Sequence, residues 1–441
     1  MGRFSIAVGG HVAVLALLVA PIGLAESHDQ DRPAGVLAPD VTTLPALAPD
    51  AATRPIVAVV SEPGATAHLD LDGVASPALL EKAVLGAAKK VEAPKPPVAR
   101  LDPALAALRD RVRWTLAAYS HQMLNTNDHT PADILHLCVA YGCDAQIQHG
   151  AATINAFGGL CWNYPCGGYQ LLTVANNHIG ARIGYGYQSQ PAQLLAALAI
   201  SRAPAEYAIH AGQKQGTVAD LVETEKRACR SGSDQALRLF GLAYYVPHAE
   251  TWKNSLDQPW SIDRMVEEEL EQTRTGEPYD EIQQLLALSC AVSRDANGKH
   301  PAESPIGRAA KFVEEHQEYM LKVQNGDGSW NAMYLSGHGT TNDALGQLRA
   351  TAHIAQWLAF SLPKQDLGDR RMARSIEYLN SLLANQASQW QVAALSNRAM
   401  ESVFYGISAL AIYDDREFKP FDSTTPSAAG ASAPPVDETA K

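Results

Sequence analysis

Between about residues 101 and 420, apolar residues recur every three or four positions in segment after segment, and this constrains the chain more than any other feature. Ala236, Leu239, Phe240 and Ala243 have this spacing, as do Leu348, Ala352, Ala355, Ala359 and Leu362, and Met372, Ile376, Leu379 and Leu383. Side chains so spaced share one face of an α-helix, and each such face must be buried against a neighbour. The expected helices, 11 or 12 of them, fall near residues 104–124, 131–141, 190–202, 217–229, 233–246, 261–274, 278–294, 305–324, 341–362, 369–385 and 399–413. Most are joined by short polar loops, so they come in successive pairs. Starts are marked as well: Ser304 precedes Pro305 at a first helical position, and Thr217-Val218-Ala219-Asp220 has the form of a capping box. Charged residues make up 19% and hydrophobic ones 46%, a balance suited to close-packed helices.

One stretch breaks the helical rhythm. Leu171 to Val174 and Ala181 to Ile183 are β-prone arms around Asn176-Asn177-His178-Ile179-Gly180, which predicts a small inserted hairpin. Gly184-Tyr185-Gly186-Tyr187 follows it and supplies aromatic residues beside flexible glycines.

The most specific local pattern is Gln324-Asn325-Gly326-Asp327-Gly328-Ser329-Trp330. Its two glycines tolerate positive φ, so a sharp reversal is expected after the helix, with Gln324 capping backbone and Trp330 covering the turn. Gln324, Gly328 and Trp330 together resemble the QW motif of squalene-hopene and oxidosqualene cyclases and their relatives. That resemblance implies an all-α fold for residues 101–420, an α/α toroid of about six helical hairpins carrying the small inserted β-hairpin. Thr251-Trp252-Lys253-Asn254, Trp260-Ser261-Ile262 and Phe312-Val313-Glu314 are similar to a branch of exported bacterial proteins with such a domain, which implies a fold without a chemistry.

The catalytic signatures of those families are missing from the sequence. There is no Asp-x-Asp-Asp acid, no Asp-Asp-x-x-Asp motif for magnesium diphosphate, and no Asp-x-Cys pair with a well-placed His for zinc. No cofactor is expected. The nearest paired acids are Asp70 and Asp72, and Asp414 and Asp415, neither pair expected in a cavity. If the chain after the QW turn enters an inner helix, Asp343 and His353 would line the central cavity as candidate catalytic residues, with His338 on the loop above. Against this, an acid in a first helical turn is favoured by the helix dipole, and a lone histidine is often a core residue. Six cysteines allow 15 full pairings; disulfides are the leading reading, with a local bridge across Cys161-Trp162-Asn163-Tyr164-Pro165-Cys166, and zinc the lesser one. Cys143 and Gln146 have the spacing of an internal thioester, but Asp144 and Ala145 are not the residues such a site uses.

The address is read from the ends. Residues 1–25 carry one charge, Arg3, before an apolar run over residues 4–25 that reads as a signal peptide or a signal anchor. Residues 26–100 contain ten prolines and read as a disordered tether, and residues 421–441 as a disordered tail. An extracytoplasmic protein is expected, periplasmic or secreted, with anchoring to the inner membrane as the alternative to cleavage. The net charge of −12 without a basic cluster excludes nucleic acid as a partner. The expected role is binding or scaffolding, towards a small molecule (lipid or glycan) or a protein. The alternative is an enzyme acting on an isoprenoid or a polysaccharide in the toroid cavity.

Overall fold

The computed structural model describes residues 102–272, 278–295, 300–333, 337–339, 343–387 and 390–418. The chain divides between Ala93 and Pro94 into two units, and every described residue belongs to the second. The signal, tether and tail expected from the sequence lie outside the described residues.

Among the described residues the fold is mainly helical, 58% of it in 13 helices, with small two-stranded sheets. The helices are α1 Pro103–Ser120, α2 Pro131–Tyr141, α3 Ala156–Cys161, α4 Gln193–Ile200, α5 Val218–Ala228, α6 Ala236–Tyr245, α7 Ile262–Glu271, α8 Pro278–Arg294, α9 Pro305–Lys322, α10 Ala344–Ser361, α11 Lys364–Leu367, α12 Arg370–Gln386 and α13 Asn397–Tyr413. Eleven match the expected segments closely; α3 and α11 are too short for periodicity to reveal. The starts read from sequence hold. The Gly307 amide donates to Ser304 Oγ at 3.1 Å, and the Thr217 amide donates to Asp220 Oδ2 at 2.8 Å.

Among the described residues there are four antiparallel hairpins where one was expected: β1 Gln146–His149 with β2 Ala152–Asn155, β3 Leu172–Ala175 with β4 His178–Ala181, β5 Ala208–Ala211 with β6 Lys214–Thr217, and β7 Thr251–Lys253 with β8 Pro259–Ser261. The expected one is β3–β4, and its turn is tighter than expected, with Asn176 and Asn177 both at positive φ (50° and 63°). In the other three, the second strand runs directly into a helix, so Asn155, Thr217 and Ser261 each end a strand and cap the helix that follows. Each of these hairpins sends an apolar anchor inward, Ile147, Ile209 and Trp260, all at most 1% exposed. With only three or four residues per strand, their alternation is too brief to stand out in sequence.

Six helices contact one another in succession: α2 with α13, α13 with α10, α10 with α8, α8 with α6, α6 with α4, and α4 with α2 again. The other long helices pack against members of this series, α5 on α6, α7 on α6 and α8, α9 on α8, and α12 on α10 and α13. Contacts between the two ends of the fold are polar as well as apolar. Arg113 of α1 donates to the buried Asp414 at 2.8 Å, Tyr119 to the Leu383 carbonyl at 3.0 Å, and Ser408 of α13 to the Val139 carbonyl of α2 at 3.0 Å.

The Gln324–Trp330 segment performs the turn assigned to it. Gln324 Nε2 donates to the carbonyls of Gly328 (3.2 Å) and Arg371 (3.0 Å), joining the end of α9 to the start of α12. Trp330 is fully buried, its indole N–H donating to the Met320 carbonyl at 2.7 Å, while its amide donates to Thr351 Oγ1 of α10 at 3.2 Å. Of the two glycines only Gly328 adopts a positive φ, 95°, and a Cβ there would meet the Arg374 carbonyl oxygen at 2.4 Å. Gly326 answers to no such need.

Candidate functional site

A cavity of about 480 Å³ lies where the six successive helices converge, and each contributes to its lining. The contributions follow helical spacing. From α4 come Gln193, Ala196, Ala197 and Ile200; from α10, Arg349, His353 and Gln356; and from α13, Arg398, Glu401 and Tyr405. Leu237 and Phe240 of α6, Gln283 and Leu286 of α8, and Val139 of α2 complete the apolar and amide walls, with Ser189 and Gln190 on the loop before α4. Its volume is in the range of small-molecule sites.

That loop is rigidly held. Gln193 Oε1 accepts from the Ser189 amide at 2.8 Å, and Gln188 Oε1 accepts from the Leu194 amide at 3.0 Å, so the connection caps the start of α4 through Gln188 and is held in turn by Gln193. Between them Ala192, 1% exposed, is left-handed at φ 62°, a conformation that costs a residue with a Cβ roughly 1–2 kcal/mol.

At the far wall the His353 ring lies against Tyr405, centroids 3.9 Å apart, and the His136 ring stands 6.0 Å from Tyr405. Burial, reinforced by Arg349 and His136, lowers the His353 pKa to about 3, so its imidazole is neutral. Burial likewise lowers that of His136, against the pull of Glu401 and Asp133, and raises that of the Tyr405 phenol. Arg349 stands 3.9 Å from Glu401, the one carboxylate in the lining.

His353 is thus in the cavity, as expected from the sequence. Asp343 is not: it is the exposed N-cap of α10, its carboxylate accepting from the Leu345 amide at 3.1 Å, and the helix carries His353 inward well beyond it. The capping reading of Asp343 is the one that fits, and His338 is exposed on its loop. The residues the sequence reading missed are Arg349, Gln356, Arg398, Glu401 and Tyr405. The signal available was polar residues at i, i+4, i+7 and i, i+3, i+7 within otherwise apolar helices.

A second cavity of about 520 Å³ opens at the other ends of the same helices, sharing Val139, Ile200 and Phe240 with the first. Two of its three arginines face helix C-termini. Arg416 donates to the carbonyls of Ala359, Phe360 and Leu362, and Arg294 donates to the Tyr244 carbonyl at 3.1 Å, while Arg202 pairs with Asp415 at 2.8 Å. Asp415, expected outside any cavity, lines this one.

The cysteines do not pair. All six are free thiols, and the expected Cys161–Cys166 bridge is absent. Cys161 is buried in the last turn of α3, whereas Cys166 belongs to a separate turn closed on Tyr169 and donates its thiol to the Tyr164 carbonyl at 3.3 Å. Burial pushes both thiols up to about 12. Cys143 is exposed, its thiol directed at the Ser201 carbonyl at 3.3 Å, and Gln146 begins strand β1. Among the described residues no group of His, Cys, Asp or Glu is arranged to hold a metal ion, and no helix is long and apolar enough to cross a membrane.

No family model matches the chain, and no curated protein is significantly similar to it.

Proposed function

We propose that this chain is an exported α/α-toroid protein of cyclase-like architecture whose central cavity binds a small polar molecule, in a binding rather than a catalytic role. The toroid is supported by the six helices whose contacts return to their start, by the helices packed on them, and by the QW-like staple at Gln324, Gly328 and Trp330. The observation that carries the functional reading is the lining of the cavity. Gln193, Gln283, Gln356, Arg349, Arg398 and Glu401 present amide and charged groups at its surface. A cavity for an isoprenoid chain would need mainly hydrocarbon and aromatic walls, whereas this one places amide and charged side chains from four of its helices.

A binding role is favoured because a single carboxylate lines the cavity, whereas acid–base glycosidase chemistry takes two. A second reading is catalysis on a polysaccharide, for which His353 and Tyr405, in contact with each other in the lining, are the candidate groups. Export rests on residues 1–25, since free cysteines remove the support that disulfides would have lent.

Paired native and denaturing mass spectra of the full chain test the proposal. The native spectrum should carry an added mass that denaturation removes, and Ala196→Phe, which fills the cavity, should lower its occupancy. A native chain of bare mass in both proteins would count against a ligand cavity.

A further inference from the structure

The same cavity carries a preference in charge, and this inference rests on the binding reading above. Two arginines, Arg349 and Arg398, and a single acidic residue, Glu401, line it, so basic side chains outnumber acidic ones there within a chain whose net charge is −12. Burial keeps His353 neutral, so it adds a hydrogen-bonding ring and no charge.

The helix ends add to the asymmetry. Gln193 is the first residue of α4, Leu237 the second of α6, and Arg398 the second of α13, so the cavity meets the N-terminal ends of three helices, where the helix dipole is positive. The second cavity collects C-termini of the same helices, and there Arg294 and Arg416 are engaged by backbone carbonyls. Arginines at C-termini offset the dipoles; those at N-termini add to them.

The two arginines also differ in setting. Arg349 is largely buried and held near Glu401, while Arg398 is exposed at the mouth. A ligand anion between them would meet one guanidinium held near Glu401 and one that reaches in from solvent, with Gln190 and Gln283 also in the lining for hydroxyl groups. We infer that the cavity binds a small, hydroxyl-rich molecule bearing one anionic group, a carboxylate or a phosphate, held by Arg349 and Arg398.

Calorimetric titration of the full chain with glucose, glucuronate and glucose 6-phosphate at one ionic strength tests this, since the three share a ring and differ in charge. Glucuronate or glucose 6-phosphate should bind about ten-fold or more tightly than glucose, and which of the two is preferred distinguishes carboxylate from phosphate. Arg398→Met, at an exposed position that folding does not require, should lose most of that advantage, and Arg349→Met should do the same. Equal affinity for all three sugars would overturn the charge preference while leaving the binding cavity in place. A charged sugar held equally well by both variants would overturn the assignment to these arginines. Binding by none would also overturn it, and the mass spectra then judge the cavity separately.

Discussion

The imidazole of His353 packs against the phenol ring of Tyr405 with centroids 3.9 Å apart and planes inclined by 32°, across the interface between α10 and α13. Its folded pKa of about 3 lies below the ordinary 6.5. The unfolded chain therefore takes up a proton as pH falls through the ordinary value, and the folded chain refuses it. Stability is whole above that value and declines with acid, with a slope of about 1.4 kcal/mol per pH unit from this group. His353→Gln should remove it, so between about pH 7.5 and pH 5 the wild-type chain should lose about 2 kcal/mol more than the variant, as measured by urea unfolding.

The Gln324–Trp330 staple should be structural in its effects. Trp330→Ala removes a fully buried indole and should cost about 3–5 kcal/mol in chemical unfolding. Gly328→Ala meets both a positive φ and the Arg374 carbonyl, and should cost about 2 kcal/mol. Gly326→Ala, with open space around its Cβ, should be close to neutral.

Arg238 of α6 and Glu225 of α5 form an ion pair at 2.9 Å with both side chains more than nine-tenths buried. Glu225→Gln leaves a buried guanidinium without its counter-charge and should destabilise by about 3–5 kcal/mol. Replacing both, Glu225→Leu with Arg238→Met, should recover most of that loss in the same assay. An additive double variant would contradict the pairing.

Thiol labelling separates the cysteines by burial. Only Cys143 is exposed, and its thiol, raised by burial and by Asp144, should react with an aromatic disulfide reagent in the folded chain at a rate that climbs with pH. Cys143→Ser should abolish this signal. Unfolding without reductant should release all six thiols, and fewer would mean that bridges form.

Helices were legible because burial of one face imposes a period that survives over ten or more residues, as along Met372, Ile376, Leu379 and Leu383, all fully buried. The same local chemistry made Ser304, Thr217 and the Asn325–Trp330 turn readable. The hairpins at Ile209 and Trp260 escaped because strands of three or four residues carry too few alternations. The site was legible only at His353. Arg349 and Gln356 stand one helical turn on either side of it, yet nothing local says that this polar face meets Glu401 and Tyr405, which lie about fifty residues further along. That depends on the contact of α10 with α13. Asp343 was misplaced for the converse reason, since its local role as a helix cap overrides its nearness in sequence.

Hydrogen–deuterium exchange of the full chain with and without glucuronate or glucose 6-phosphate, whichever binds more tightly, tests the central claim most directly. Protection is expected over residues 189–193 and the first two turns of α10 and α13, around Arg349, Arg398 and Glu401. Protection instead over residues 139–144, 199–202 and 411–416, around the opposite cavity, or no change along the chain, would contradict it.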